Sequence, residues 1–171
     1  MSTYIKRNIL YLLLVLSGFS FGQREYQIYS GMIYNFAITT EWAPDKSNSE
    51  FVIGVVGNSP VVSELHKIAQ SKKINDAPIV IKEFKSATEI ENCHIIFVAP
   101  DHKNELEEIS ELSKLQHSIL ITEGSETDKE YFIFNFINDG QRTRYQLNMS
   151  NAAKHDVRIP SSIITLAIIV G

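Results

Sequence analysis

Cysteine occurs once, at Cys93, in a chain of 171 residues. No disulfide can close within such a chain, and no cysteine-rich zinc cluster can be assembled. Positive charge is also in short supply: 16 lysines and arginines face 20 aspartates and glutamates, a net charge of −4, with no basic tract. A chain with that balance has no electrostatic reason to seek a phosphate backbone, which sets nucleic acid aside as a partner. Long apolar runs are missing too. The longest, from Ile9 to Phe21, spans thirteen residues, against the roughly 20 that a helix needs to cross hydrocarbon. Internal repeats, low-complexity tracts and interdomain linkers are absent, so a single globular domain is expected.

Sequence signatures of catalysis and cofactor binding are equally sparse. The five histidines, His66, His94, His102, His117 and His155, include no pair at the i, i+4 spacing of a helical zinc motif. His102 and Glu105 come nearest to a ligand pair, and no third ligand can be named, so no metal is expected. Gly57-Asn58-Ser59-Pro60 follows a strand and opens a helix, a place where backbone N–H groups can meet an anion. It lacks the Gly-Lys-Ser/Thr ending of a P-loop and the further glycines of a dinucleotide fingerprint. Ser59 does not sit in Gly-x-Ser-x-Gly. Cys93 and His94 are strand neighbours that point to opposite faces and so form no dyad. Glu123 and Glu126 could be a carboxylate pair, but sequence does not fix their distance. The expectation is a protein that is not an enzyme and carries no cofactor. Two alternatives stay open: a small-molecule binding protein with its ligand near Gly57 or Asp101, where α/β sheets place sites, and a hydrolase using Ser59, His102 or Glu123.

What is present begins with an address. Lys6 and Arg7 precede the apolar run, and Ser20-x-Gly22 offers small residues at −3 and −1, the pattern of a secretory signal. Residues 1–22 are expected to be a signal peptide cleaved before Gln23, leaving 23–171 as the mature domain in the periplasm. No cysteine follows the run to take a lipid anchor.

Within the domain, Tyr26, Tyr29, Ile33, Phe36 and Thr40 recur at steps of three and four and mark one face of a helix. Ile28, Met32, Tyr34 and Ile38 widen its apolar surface beyond one stripe, so the second face is either buried in the domain or meets another subunit. Strands are expected at Phe51–Val56, Ile79–Ile81, Cys93–Val98 and Ser118–Thr122. Helices are expected at Val61–Gln70, capped by Ser59 and Pro60, and at Asp101–Leu115, with Leu106, Ile109, Leu112 and Leu115 inward. Tyr131–Ile137 and Thr143–Leu147 flank an Asp139-Gly140 turn and read as an antiparallel hairpin at the sheet edge. A short helix over Asn148–His155 and an apolar helix over Ser161–Val170 close the chain. The fold class is α/β: a mostly parallel central sheet with flanking helices and a C-terminal antiparallel hairpin, in one domain. Cys93 is expected to be an inert core thiol.

Tyr34-Asn35-Phe36-Ala37, continuing to Glu41-Trp42 and Pro44, resembles the first motif of the YfiR/HmsC-like family of exported bacterial regulators. Cys93-His94-Ile95-Ile96-Phe97 resembles its central strand, and Arg144-Tyr145-Gln146-Leu147-Asn148 the strand that ends in asparagine. Ala153-Lys154, Val157-Arg158-Ile159, Ser161 and Ile163-Ile164-x-Leu166-Ala167 are similar to its closing motif. The resemblance implies a non-catalytic periplasmic domain that acts on the periplasmic part of a membrane-bound diguanylate cyclase, lowering cyclic-di-GMP and biofilm formation. Since similar domains occur with sensor kinases, a kinase is the other partner it implies. The disulfide cysteines of some members are missing, and the usual Gly-Gly before the hairpin is replaced around Glu130-Tyr131, so redox control within the chain is not implied. Tyr34, Asn35, Phe36, Glu41 and Trp42 are the candidate partner-binding residues, for the membrane protein or for a homodimer. Aromatic side chains at helical spacing also serve as core anchors. Asn35 and Glu41 are harder to explain by packing, because their polar groups need partners or water.

Overall fold

The computed structural model describes residues 24–42, 49–124, 128–138 and 142–171. The expected signal peptide, Pro44, Glu126 and the Asp139-Gly140 turn lie outside them. Helix α1 covers residues 24–39. It is followed by β1 (Phe51–Val56), α2 (Val61–Ser71), β2 (Lys73–Ile74), β3 (Ala77–Phe84), β4 (Ile95–Val98), α3 (Leu106–Leu115), β5 (Ile119–Glu123), β6 (Phe134–Asn138), β7 (Thr143–Leu147), α4 (Met149–Lys154), α5 (Ser161–Ile164) and β8 (Ile168–Ile169). Short 3₁₀ turns at Ala87–Glu89 and Pro100–Glu105 lead into β4 and α3.

These strands form one sheet in the order β2-β3-β1-β4-β5-β6-β7-β8. Neighbours from β3 to β6 run parallel, β7 is antiparallel to β6, and β8 is parallel to β7. The expected α/β class with a largely parallel sheet and an antiparallel hairpin is therefore what the chain adopts. Alternation along β1 divides the core. Ile53 and Val55 join the cluster under α1, α2 and α5, whereas Val52 and Val56 join the cluster under α3. Covered on both faces, β1 and β4 are apolar at almost every position, as parallel strands must be. Gly54 is the exception, and packing explains it: a Cβ there would lie 2.8 Å from the Phe84 ring and 2.9 Å from the Cys93 sulfur. Cys93 itself is fully buried and in no disulfide, the core position expected of it.

Four expectations need correction. The apolar C-terminal segment is not one helix; α5 stops at Ile164, and Ile168 and Ile169 pair with Gln146 and Leu147. A run of β-branched isoleucines gains more from an open strand edge than from a helix turn. As a result β7 is not at the sheet edge, because β8 covers it. The Asp101–Leu115 helix divides into a 3₁₀ turn and α3, which buries Leu106 and Ile109 while Leu115 stays 77% exposed, beyond the end of the sheet-facing stripe. The strand expected from Tyr131 starts only at Phe134, since Asn151 Nδ2 donates to the Glu130 and Phe132 carbonyls at 2.9 Å and bends that backbone away from the ladder. β2 was not expected from the sequence. It forms because Asn75 and Asp76 adopt φ of 48° and 66°, the left-handed pair that closes a two-residue hairpin onto β3.

Candidate functional site

The face of α1 that meets the sheet is aromatic. Phe36 stacks on Phe134 at 4.1 Å between centroids and meets Tyr145 edge-on at 5.1 Å, while Tyr29 stacks on Phe136 at 4.5 Å. These contacts fix how α1 lies across β6 and β7. They also place the five candidate residues. Phe36 is in the core. Tyr34 is half-buried, and its hydroxyl donates to the Lys73 carbonyl at 3.4 Å. Asn35 and Glu41 are exposed.

Trp42 leaves the helix and folds back. Its indole N–H donates to the Ala37 carbonyl at 2.9 Å, one of the carbonyls that the end of a helix leaves open. Its ring meets Phe51 edge-on at 5.1 Å and His94 at 5.6 Å, and Phe51 and His94 stack at 4.3 Å. His94 Nδ1 accepts the Val52 N–H at 3.1 Å, which assigns the ring proton to Nε2 while the imidazole is neutral. Beside this cluster Glu41 forms an isolated antiparallel bridge with Arg158, and their side chains approach to 3.6 Å. Both are largely exposed, so the ion pair contributes little to stability.

Segments separated by more than a hundred residues thus meet at the amino ends of β1 and β4. The sequence reading selected Glu41 and Trp42 but missed Phe51 and Arg158 as their neighbours. Arg158 was visible only as part of a motif, and local periodicity cannot report a contact across the length of the chain.

The opposite end of the sheet is where open α/β folds hold ligands, at the point where strand order reverses between β1 and β4. Here that position is filled from within. Gly57 has φ +86°, and a Cβ on it would lie 2.4 Å from both Asp101 Oδ1 and His102 Nδ1. The Asn58 N–H, which could have met an anion, donates to Asp101 Oδ2 at 3.3 Å. Ser59 caps α2 as expected, its hydroxyl accepting the Val61 N–H at 3.2 Å. His102 lies between two acceptors, with Asp101 Oδ1 at 3.0 Å and the Lys85 carbonyl at 2.9 Å. The Asp101 carboxylate in particular raises its pKa. Its approach to Glu105 is 3.8 Å, longer than a hydrogen bond.

Further along the same end, Glu123 closes β5 beneath the start of α1. Tyr26 donates to its Oε1 at 3.1 Å, while Oε2 is buried with no hydrogen-bond partner among the described residues. Burial raises the Glu123 pKa and, with the nearby carboxylate, pushes Tyr26 up to about 12. Glu25 accepts from Tyr29 at 2.7 Å and from Asn138 at 2.8 Å, so α1 is held to the strand ends by a polar network as well as by its rings.

Fold and site together define a doubly wound α/β domain whose ligand end is occupied by its own side chains and whose opposite end gathers distant segments. More particularly, the chain belongs to the YfiR/HmsC-like family, which it matches over residues 26–168. No curated protein matches it. Membership carries the theme of a signalling regulator whose partner is a membrane signalling protein. Among the described residues no helix is long and apolar enough to cross a membrane.

Proposed function

We propose that this protein is an exported, non-enzymatic regulator. It acts by touching the periplasmic part of a membrane-bound diguanylate cyclase or sensor kinase, thereby adjusting cyclic-di-GMP signalling and biofilm formation. The observation that carries this reading is the convergence of Glu41, Trp42, Phe51, His94 and Arg158 at the amino end of the sheet. Three of the segments that resemble family motifs meet there. That end offers an exposed acid and base beside a half-buried indole, a polar rim around an aromatic anchor of the kind protein interfaces use.

Contact acts on a partner by favouring one of its conformations, so the two states must differ in affinity for this surface. Asn35, Glu41 and the exposed parts of Tyr34 and Trp42 are the groups proposed to touch the partner. Phe36 supports them from the core, holding α1 in place.

Crosslinking the protein in cells tests the reading. Capture of a membrane cyclase or kinase is expected with the parent protein, and capture should fall about tenfold in Trp42→Ala and Glu41→Ala. A protein that captures no membrane protein in exporting cells would defeat the reading. Capture that neither substitution changes would remove the site.

A further inference from the structure

His155 follows α4 and is buried at the amino end of β5, three residues before Arg158. Its Nδ1 lies 3.0 Å from the Ser113 hydroxyl and 3.2 Å from the Ser118 carbonyl. Ser113 already donates to the Ser110 carbonyl, so both oxygens accept and the neutral ring carries its proton on Nδ1. A second proton goes to Nε2, which has no hydrogen-bond partner among the described residues.

Through this ring one short segment is tied to α3 and β5. The N–H groups of His155, Asp156 and Val157 tie it to α4, donating to the carbonyls of Asn151, Ala153 and Ala152. Arg158 comes next and forms the bridge to Glu41 beside Trp42. Asp156 has φ 54°, and His117, whose Nδ1 is 3.3 Å from the His155 carbonyl, has φ 50°. Left-handed backbone is costly for residues with a side chain, so the segment is closed under strain with an imidazole as its fastening.

We propose that the 155–158 segment is a proton-operated latch: when His155 takes up a second proton, the ring leaves its seat, the segment lifts from α3 and β5, and Arg158 withdraws from Glu41. In the closed seat the imidazolium has no acceptor for its new N–H, whereas in water it is solvated. The charged groups around it are Glu111 and Lys114 from α3, Lys154 from α4, His117 from the turn before β5 and Asp156 from the segment itself. Burial opposes the proton most, Lys114 and Lys154 repel it, and the Ser118 carbonyl and Glu111 favour it, so the closed ring holds it less tightly than a released one. His117 lies 3.4 Å from Asp156 and, once charged, favours the closed form, but that pair is exposed and weak. A group that binds its proton more tightly when released shifts the balance toward release as pH falls. Acid therefore takes apart the Arg158 side of the surface. Its effect on the membrane partner rests on the reading above, whereas the release itself is tested on the purified protein alone.

Native-state hydrogen exchange reads the latch. Between about pH 7 and about pH 5, protection of the His155, Asp156 and Val157 amides should fall about tenfold. Their exchange should be nearly indifferent to dilute urea, as a small opening is, while β1 and β4 follow global unfolding. Lys114→Glu, at a side chain 47% exposed, replaces a repelling charge by an attracting one and should shrink the fall to about threefold.

Trp42 is the chain's one tryptophan and reports the far side of the latch. Acid should expose it, seen as a red shift in emission and faster acrylamide quenching, in the parent and not in His155→Gln. Persistence of that change in His155→Gln would assign it to His94 beside the ring and overturn the proposal. Protection at 155–157 that matches β1 and β4 at both pH values, that does not fall with acid, or whose fall Lys114→Glu leaves unchanged would overturn it as well.

Discussion

Two side chains carry most of the tension between packing and polarity at the level of single residues. Phe36 belongs to the segment that resembles the family's first motif, yet it is 1% exposed and stacked on Phe134. Removing its ring opens a cavity between α1 and β6, so Phe36→Ala should lose about 3 to 5 kcal/mol in chemical denaturation. A loss below about 1 kcal/mol would mean that the ring is not a core anchor. Glu123 is the opposite case, a carboxylate with one oxygen on Tyr26 and the other buried alone. Burial raises its pKa, so the folded state holds this proton more tightly than the unfolded chain does. Its contribution to stability is therefore fully present below the ordinary carboxylate range and is lost as pH rises through the raised value. Glu123→Gln keeps an acceptor for Tyr26 and removes the charge. The variant should be more stable than the parent at neutral pH, with the difference shrinking toward about pH 4. A difference that does not vary with pH would show that the charge is not the cause.

Elements that the sequence made legible were those whose pattern is local. The stripe Tyr29, Ile33, Phe36 announces α1, and the unbroken apolar runs of β1 and β4 announce buried parallel strands, because each signal is complete within a few residues. The terminal Ser161–Val170 segment was misread beyond Ile164 for the converse reason. An apolar run of that length suits a helix or a strand, and only the open edge of β7 decides between them. The lead-in to β6 was misread because Asn151, about twenty residues downstream, takes the carbonyls of that stretch. The same asparagine also receives the Asn148 cap of α4 through its backbone N–H at 2.9 Å. It thus ties α4 to the 128–133 connection. Asn151→Ala should leave the buried Phe132 carbonyl and the part-buried Glu130 carbonyl short of a donor, while the Lys129 carbonyl keeps the Asn148 amide at 2.7 Å. A destabilisation of about 1 to 3 kcal/mol is expected. Hydrogen exchange should quicken first at Tyr131 to Ile133 and at the start of α4, ahead of β1 and β4. Uniform quickening across the sheet would contradict this local role. The candidate site was legible in part: Glu41 and Trp42 could be selected because they fall in the segment that resembles the family's first motif, but their meeting with Phe51, His94 and Arg158 is a property of the closed sheet.

At the level of the whole molecule, two histidines at opposite ends of the sheet pull its stability in opposite directions. His155 is 2% exposed, with Nδ1 near the Ser113 hydroxyl at 3.0 Å and the Ser118 carbonyl at 3.2 Å, and burial lowers its pKa below the ordinary 6.5. The unfolded chain takes up this proton first as pH falls, so stability should drop as the solution is acidified below about 6.5. His102 behaves inversely. Held between Asp101 and the Lys85 carbonyl, it gains affinity for its proton on folding. Its contribution is complete below the ordinary histidine value and is lost as pH rises through the raised one. Partial exposure of the ring keeps this second effect the smaller of the two. The sum is a shallow stability maximum near neutrality, falling on the acid side through His155 and more gently on the alkaline side through His102, with Glu123 acting in the same sense as His102. Melting temperatures from about pH 5 to about pH 8 should trace that curve. His102→Gln should reduce the alkaline limb to the part that Glu123 supplies and leave the acid limb in place. His155→Gln should do the reverse at some cost in packing, which lowers the curve without restoring its acid slope. A parent protein whose stability rises steadily across this range would mean that the Asp101–His102–Lys85 seal does not bind its proton more tightly in the folded state, and the closure of the ligand end by its own side chains would lose its electrostatic support.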